Sequence, residues 1–288
     1  MRYKHILTVI FASLPILMII RALQLIKHTD HTTGFYTKDK QALVVTVAIA
    51  IVAFLVVCCC ATVKRAPLKT PKVRKPLAIG AVLMAVAVAL DVVATFGFSF
   101  MSNLHKFIIG ILGLLTVAFF VAYAIKGVKK YRLEKLLYAI PAIYFAAKLV
   151  LVFISIATLA LISANAYMIL YYSFTTLFFL EFAKIANGYD KEKSYKKILI
   201  TAALSAMFSA VFSVPQMFLL LTDSKATLHQ SSAVLFSAML TGVFVMIYIM
   251  AHFSNKNLKN HHYRKKKGDE GEKFLNVETP KQEFYYGD

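Results

Sequence analysis

Residues 77–101 read LAIGAVLMAVAVALDVVATFGFSFM, with Lys72, Arg74 and Lys75 just ahead of them. Asp91 is the one charged residue in the stretch, and no apolar–polar alternation runs through it. A helix needs about 20 apolar residues to cross a hydrocarbon layer about 30 Å thick. Water is absent from that layer, so the backbone must satisfy its own hydrogen bonds, and a continuous apolar run does this as a helix rather than as a barrel strand. The stretch therefore predicts a transmembrane helix.

Working outward, comparable runs lie at 6–26 and 42–63 before it and at 107–125, 136–162, 166–186, 198–221 and 233–253 after it. The expected fold is all-α, a polytopic transmembrane helix bundle of eight spans over residues 1–253. Composition agrees: 59% hydrophobic residues and a mean hydropathy of +0.66 exceed the about 45–50% apolar content of soluble domains. The narrowest separation falls between the fifth and sixth spans, where Ser163, Ala164 and Asn165 are expected to form a tight turn, with a fused re-entrant pair as the alternative. Arg2 and Lys4 precede the first span as they would a signal peptide, but no small-residue cleavage site follows, so the span is read as retained.

Orientation follows from the basic residues, because positively charged loops resist translocation. Lys64, Arg65, Lys69, Lys72, Arg74 and Lys75 follow the second span, Lys126, Lys129, Lys130, Arg132 and Lys135 the fourth, and Lys191, Lys193, Lys196 and Lys197 the sixth. The alternate connections hold only Lys27, Lys38, Lys40, Lys106 and Lys225. Both termini are thus expected in the cytoplasm (N-in, C-in), and the asymmetry suits a bacterial cytoplasmic (plasma) membrane. The net charge of +19 has a cause without nucleic acid, and no nucleic-acid partner is expected. The expected partner is the lipid bilayer, with anionic lipid as a candidate at the juxtamembrane cluster Arg264, Lys265, Lys266 and Lys267. Residues 254–288 are too polar to form a core and are expected to be a disordered cytoplasmic tail. Oligomeric state is not legible.

The informative residues are ionisable ones inside the spans, since each costs about 2.5–3.5 kcal/mol at a helix centre on insertion scales. Asp91, Lys148 and Arg21 share a depth, and Glu181 sits apart from them. Residues three or four apart share a helix face, which adds Thr95 to Asp91 and Tyr144 to Lys148. An ion pair between Asp91 and Lys148 is expected, with Arg21 as the competing partner; a structural pair holding register would look the same in sequence. Glu181 and Lys184 are three apart and expected to pair, with a secondary reading of Glu181 as a proton or cation site.

Other signals are weaker. Ala202, Ala206 and Ala210, and beside them Ser205, Ser209 and Ser213, form small-residue rows that let helices approach closely. Pro15, Pro141 and Pro215 are each expected to interrupt and kink a span. His28, Asp30 and His31 are candidates for metal only if their loops converge. Cys58, Cys59 and Cys60 are adjacent and cannot make a disulfide framework. There is no HExxH, GxSxG or P-loop, no cofactor is expected, and an enzyme would lack a nameable nucleophile or base. The leading expectation is passage of a small solute or ion through the bundle at Asp91 and Lys148. The competing one is a non-catalytic sensor or assembly scaffold acting through the basic loops and tail.

Overall fold

The computed structural model describes residues 3–29, 39–62, 75–96, 104–128, 133–157, 163–188, 191–222 and 231–253. They form α1 (Tyr3–His28), α2 (Asp39–Ala61), α3 (Lys75–Phe96), α4 (Leu104–Val128), a 3-10 turn (Lys135–Ala139), α5 (Ile140–Ala157), α6 (Ser163–Asn187), α7 (Lys191–Thr222) and α8 (Ser232–Phe253). Eight helical segments are long and apolar enough to cross a membrane, and the described residues contain no strand.

Apolar side chains cover the outside as well as the core. On α2, Ala42, Ile49, Ala53, Val56 and Cys60 are buried at helical spacing, while Val44, Val47, Ile51, Phe54 and Leu55 are exposed. A helix of a soluble protein turns charged or polar residues outward. Apolar residues on both sides suit a bundle whose surroundings are lipid.

Six helices close a ring. Each helix from α3 to α8 packs on the next, and α8 returns onto α3. The α1–α2 hairpin lies outside this ring and packs against α7. The most enclosed span is therefore that of α7, where 78% of an apolar 18-residue stretch is buried. Its small-residue rows are what make that possible: Ala202, Ala206, Ser205, Ser209 and Ser213 are all buried, and a Cβ on Gly242 of α8 would collide with Ser209.

Two boundaries differ from the sequence reading, each for a local reason. Ser163, Ala164 and Asn165 form the first turn of α6 rather than a tight turn. Residues 158–162, between α5 and α6, lie outside those described. Pro141 sits where the 3-10 turn Lys135–Ala139 passes directly into α5, the Ile140 N–H bonding the Leu137 carbonyl, so it lies inside one continuous span, Lys135–Ile154, at the point where 3-10 geometry gives way to α. Pro15 and Pro215 do lie inside α1 and α7. Finally, α7 begins at Lys191, so Lys191, Lys193, Lys196 and Lys197 occupy its first turns. Gly188 makes this junction short: its φ of 81° and its N–H bond to the Ile185 carbonyl at 3.1 Å end α6 with the left-handed residue that glycine adopts without steric cost.

Candidate functional site: a buried ion pair inside the ring

The helices alternate in direction, so α1, α3, α5 and α7 finish at the end whose connections are poor in lysine, here the lysine-poor end; the opposite end is the basic end. The two halves of the ring interior differ in chemistry.

Toward the lysine-poor end, α3 supplies Asp91 and α5 supplies Tyr144 and Lys148, one turn apart on one face. Lys148 Nζ lies 2.9 Å from Asp91 Oδ1, and the Tyr144 hydroxyl donates to Asp91 Oδ2 at 2.5 Å. Both carboxylate oxygens are thus engaged, one by a cation and one by a phenol. Asp91 and Lys148 are each only 4% exposed and Tyr144 1%. Glycine in α4 permits the arrangement: a Cβ on Gly113 would overlap Val92 beside Asp91 and approach Tyr144 Cε2 at 3.1 Å. Lys148 Nζ lies 5.8 Å from the Tyr172 ring centre, a cation–π distance, and Tyr172 packs on Tyr171 at 4.7 Å. The Tyr171 hydroxyl reaches Thr241 of α8 at 3.3 Å. One turn on, Thr175 of α6 and Ser205 of α7 share a hydrogen bond of 2.9 Å.

Chemically, the pair is closed on itself: both carboxylate oxygens of Asp91 are held, one by the Lys148 ammonium and one by the Tyr144 hydroxyl. It can open if an external ion or dipole replaces one partner. Removing either charge leaves the other buried and uncompensated, a loss of about 3–5 kcal/mol.

Arg21 does not join this pair. It is fully buried, donates from Nη1 to Gln24 Oε1 at 2.5 Å, and lies 4.2 Å over the ring of Tyr167. The reason is topological: α1 packs on α7 and α2, outside the ring that encloses Asp91. Gln24 ties the hairpin together, its Nε2 donating to the Ala42 carbonyl at 2.9 Å and to Thr46 Oγ1 at 3.1 Å. Arg21 is thus the centre of a second polar cluster.

Glu181 pairs within α6. Lys184 Nζ is 2.9 Å from Glu181 Oε1, the lysine side chain 42% exposed and the glutamate 7%, while Glu181 Oε2 is buried with no hydrogen-bond partner among the described residues. Thr95 lies in the last turn of α3, and its side chain is outside the described ones. His28 is the half-buried last residue of α1; Asp30 and His31 lie outside the described residues, as do Arg264–Lys267 and the rest of 254–288.

Toward the basic end the interior is aromatic. Phe179 stacks on Phe145 at 5.2 Å and on Phe244 at 6.1 Å. Phe182 meets Tyr123, Tyr138 and Tyr248 at 5.6–5.7 Å. Lys126 bonds the Tyr138 hydroxyl at 2.6 Å at the margin of this layer.

Sequence reasoning passed over Gln24, Tyr171, Tyr172, Thr241 and Gln216, and took Tyr167 only as part of an aromatic face with Glu181. The available signal was neutral: polar side chains inside spans, with Gln24 one turn from Arg21 and Tyr167, Tyr171 and Thr175 four apart on α6. No protein-family model matches the chain, and no curated protein or solved structure matches it.

Proposed function

We propose that this chain is a multi-pass protein of a bacterial cytoplasmic membrane, with both termini on the basic, cytoplasmic side, that passes a small solute or ion through the six-helix ring. The observation that carries the reading is the Asp91–Lys148 pair, 2.9 Å apart and facing the ring interior. Ionisable residues at membrane depth mark pathways more often than packing seams, and here a phenol and two further tyrosines accompany them. The polar half is the part open to a solute in some state of the cycle, and the aromatic half is the seal.

A second reading, a non-catalytic sensor or assembly scaffold, is favoured by the closure of the pair, each side chain 5% exposed. Its basic loops and tail would then make the working contacts.

Accessibility separates them. In a background with Cys58, Cys59 and Cys60 replaced by Ser, cysteine is placed at Ser237 and Thr241 in the polar half and at Ala124 in the aromatic half. Transport predicts labelling by a membrane-impermeant thiol reagent at Ser237 and Thr241, altered by Asp91→Asn, with Ala124 protected. Uniform protection means a dry bundle and discards the pathway in favour of the scaffold or sensor.

A further inference from the structure

Two lysines terminate consecutive spans at the basic end of the bundle. The fourth span runs Lys106–Lys126 and the fifth Lys135–Ile154, so Lys126 and Lys135 both stand where apolar surface gives out. Lysine stems lie along apolar surface at such a margin and carry their ammonium groups into the headgroup layer.

Lys126 is held in place there. Its Nζ donates to the Tyr138 hydroxyl at 2.6 Å and lies 5.3 Å from the centre of that ring. Tyr138 is itself buried, packed against Phe119 at 5.5 Å, Tyr123 at 6.1 Å and Phe182 at 5.7 Å. An ammonium carries three donors, and the phenol takes one of them. Lys135 opens the 3-10 turn on which Tyr138 lies. Residues three apart eclipse one another in that geometry, with a rise of about 2 Å per residue. Lys135 therefore stands in line with Tyr138, about 6 Å nearer the end of the bundle, and is exposed. Neither lysine is paired with a carboxylate among the described residues, where the ion pairs are Asp91–Lys148 and Glu181–Lys184; the exposed Glu134 beside Lys135 is in neither. Next to the lysines in sequence the surface is apolar: Leu136 is 84% exposed, and Ile125 and Val121 of α4 are exposed too.

We propose that Lys126 and Lys135 form a binding site for the phosphate of an anionic phospholipid, whose chains lie on Leu136, Ile125 and Val121. Two cations without a carboxylate need a net negative partner, and a zwitterionic headgroup brings a cation of its own. Tyr138 fixes one ammonium in advance, which lowers the ordering cost of binding. The site rests on the chain lying in a bilayer and not on the transport reading, because binding is measurable without flux.

The test counts lipids bound to the full-length protein in neutral detergent by native mass spectrometry, with phosphatidylglycerol titrated against phosphatidylcholine. Wild type is expected to prefer phosphatidylglycerol. Lys126→Met and Lys135→Met should each weaken that lipid about fivefold and the double variant about 25-fold, with Lys129, Lys130 and Arg132 left in place and phosphatidylcholine unaffected. Tyr138→Phe, which keeps the ring and both charges, should cause a smaller loss. Lys191→Met with Lys193→Met, at the neighbouring α6–α7 junction, should leave the preference intact, and soluble glycerol phosphate should not compete. If variants at Lys126 do not fold, the exposed Lys135→Met decides. The proposal is overturned by equal affinity for the two lipids, by a preference that survives Lys135→Met and the double variant, by one lost equally in the α7 variant, or by displacement with glycerol phosphate, which would make the site one for free phosphate.

Discussion

The two halves of α6 hold their neighbours by different means. In its first half, Tyr167, Tyr171, Tyr172 and Thr175 reach other helices through hydroxyl groups or lie beside cations. In its second half, Phe178, Phe179 and Phe182 reach them through ring faces and edges. Lipid tails are as apolar as the side chains, so association gains no hydrophobic drive and depends on close packing and on hydrogen bonds. Ring contacts accept many geometries within a few ångströms; a lysine–carboxylate–phenol unit accepts few. The aromatic half supplies contact area, and the polar half specifies which residue stands opposite which.

The largest expected effect tests that assignment in the polar half. Asp91→Leu strands Lys148 and Tyr144 and should cost about 3–5 kcal/mol, measured by unfolding of the solubilised protein. Adding Lys148→Met should recover most of the loss, since a well-packed apolar pair often replaces a buried ion pair without cost. A single variant within about 1 kcal/mol of wild type would show that the charges are hydrated or otherwise compensated, and the contrast between the halves would collapse.

In the aromatic half, Phe179→Ala removes a ring in contact with Phe120, Phe145, Phe178, Phe182 and Phe244. The cavity should cost about 3 kcal/mol. Phe179→Leu should cost less than half as much, because neighbouring rings can close in. Equal losses for Ala and Leu would mean that this layer is as specific as the polar one.

The smallest effect probes the neutral hydrogen bond between the halves. Thr175→Val keeps shape and removes the bond to Ser205; such bonds average about 0.6 kcal/mol in membrane helices. A loss above about 2 kcal/mol would exceed that range and assign Thr175 to the cooperative polar network.

Much of the architecture was legible because it rests on local properties. Run length and hydropathy located eight helices, since a bilayer demands long apolar segments wherever the chain crosses it. The Glu181–Lys184 contact follows from helix spacing alone. Ser163–Asn165 misled because Ser and Asn suit helix starts as well as turns.

Asp91 and Lys148 stood out in the sequence because a charge at membrane depth is costly, and that cost is a property of each residue alone. Which partner each takes is a property of the packing. Asp91 and Lys148 are 57 residues apart, and they meet because Gly113 lets α3 and α5 close around α4, whereas Arg21, at a similar depth, lies beyond α7 on the hairpin outside the ring. Hydropathy and helical period register depth and face along one helix. They hold nothing about the order of helices around a ring, and that order separates the Arg21 cluster from the ion pair.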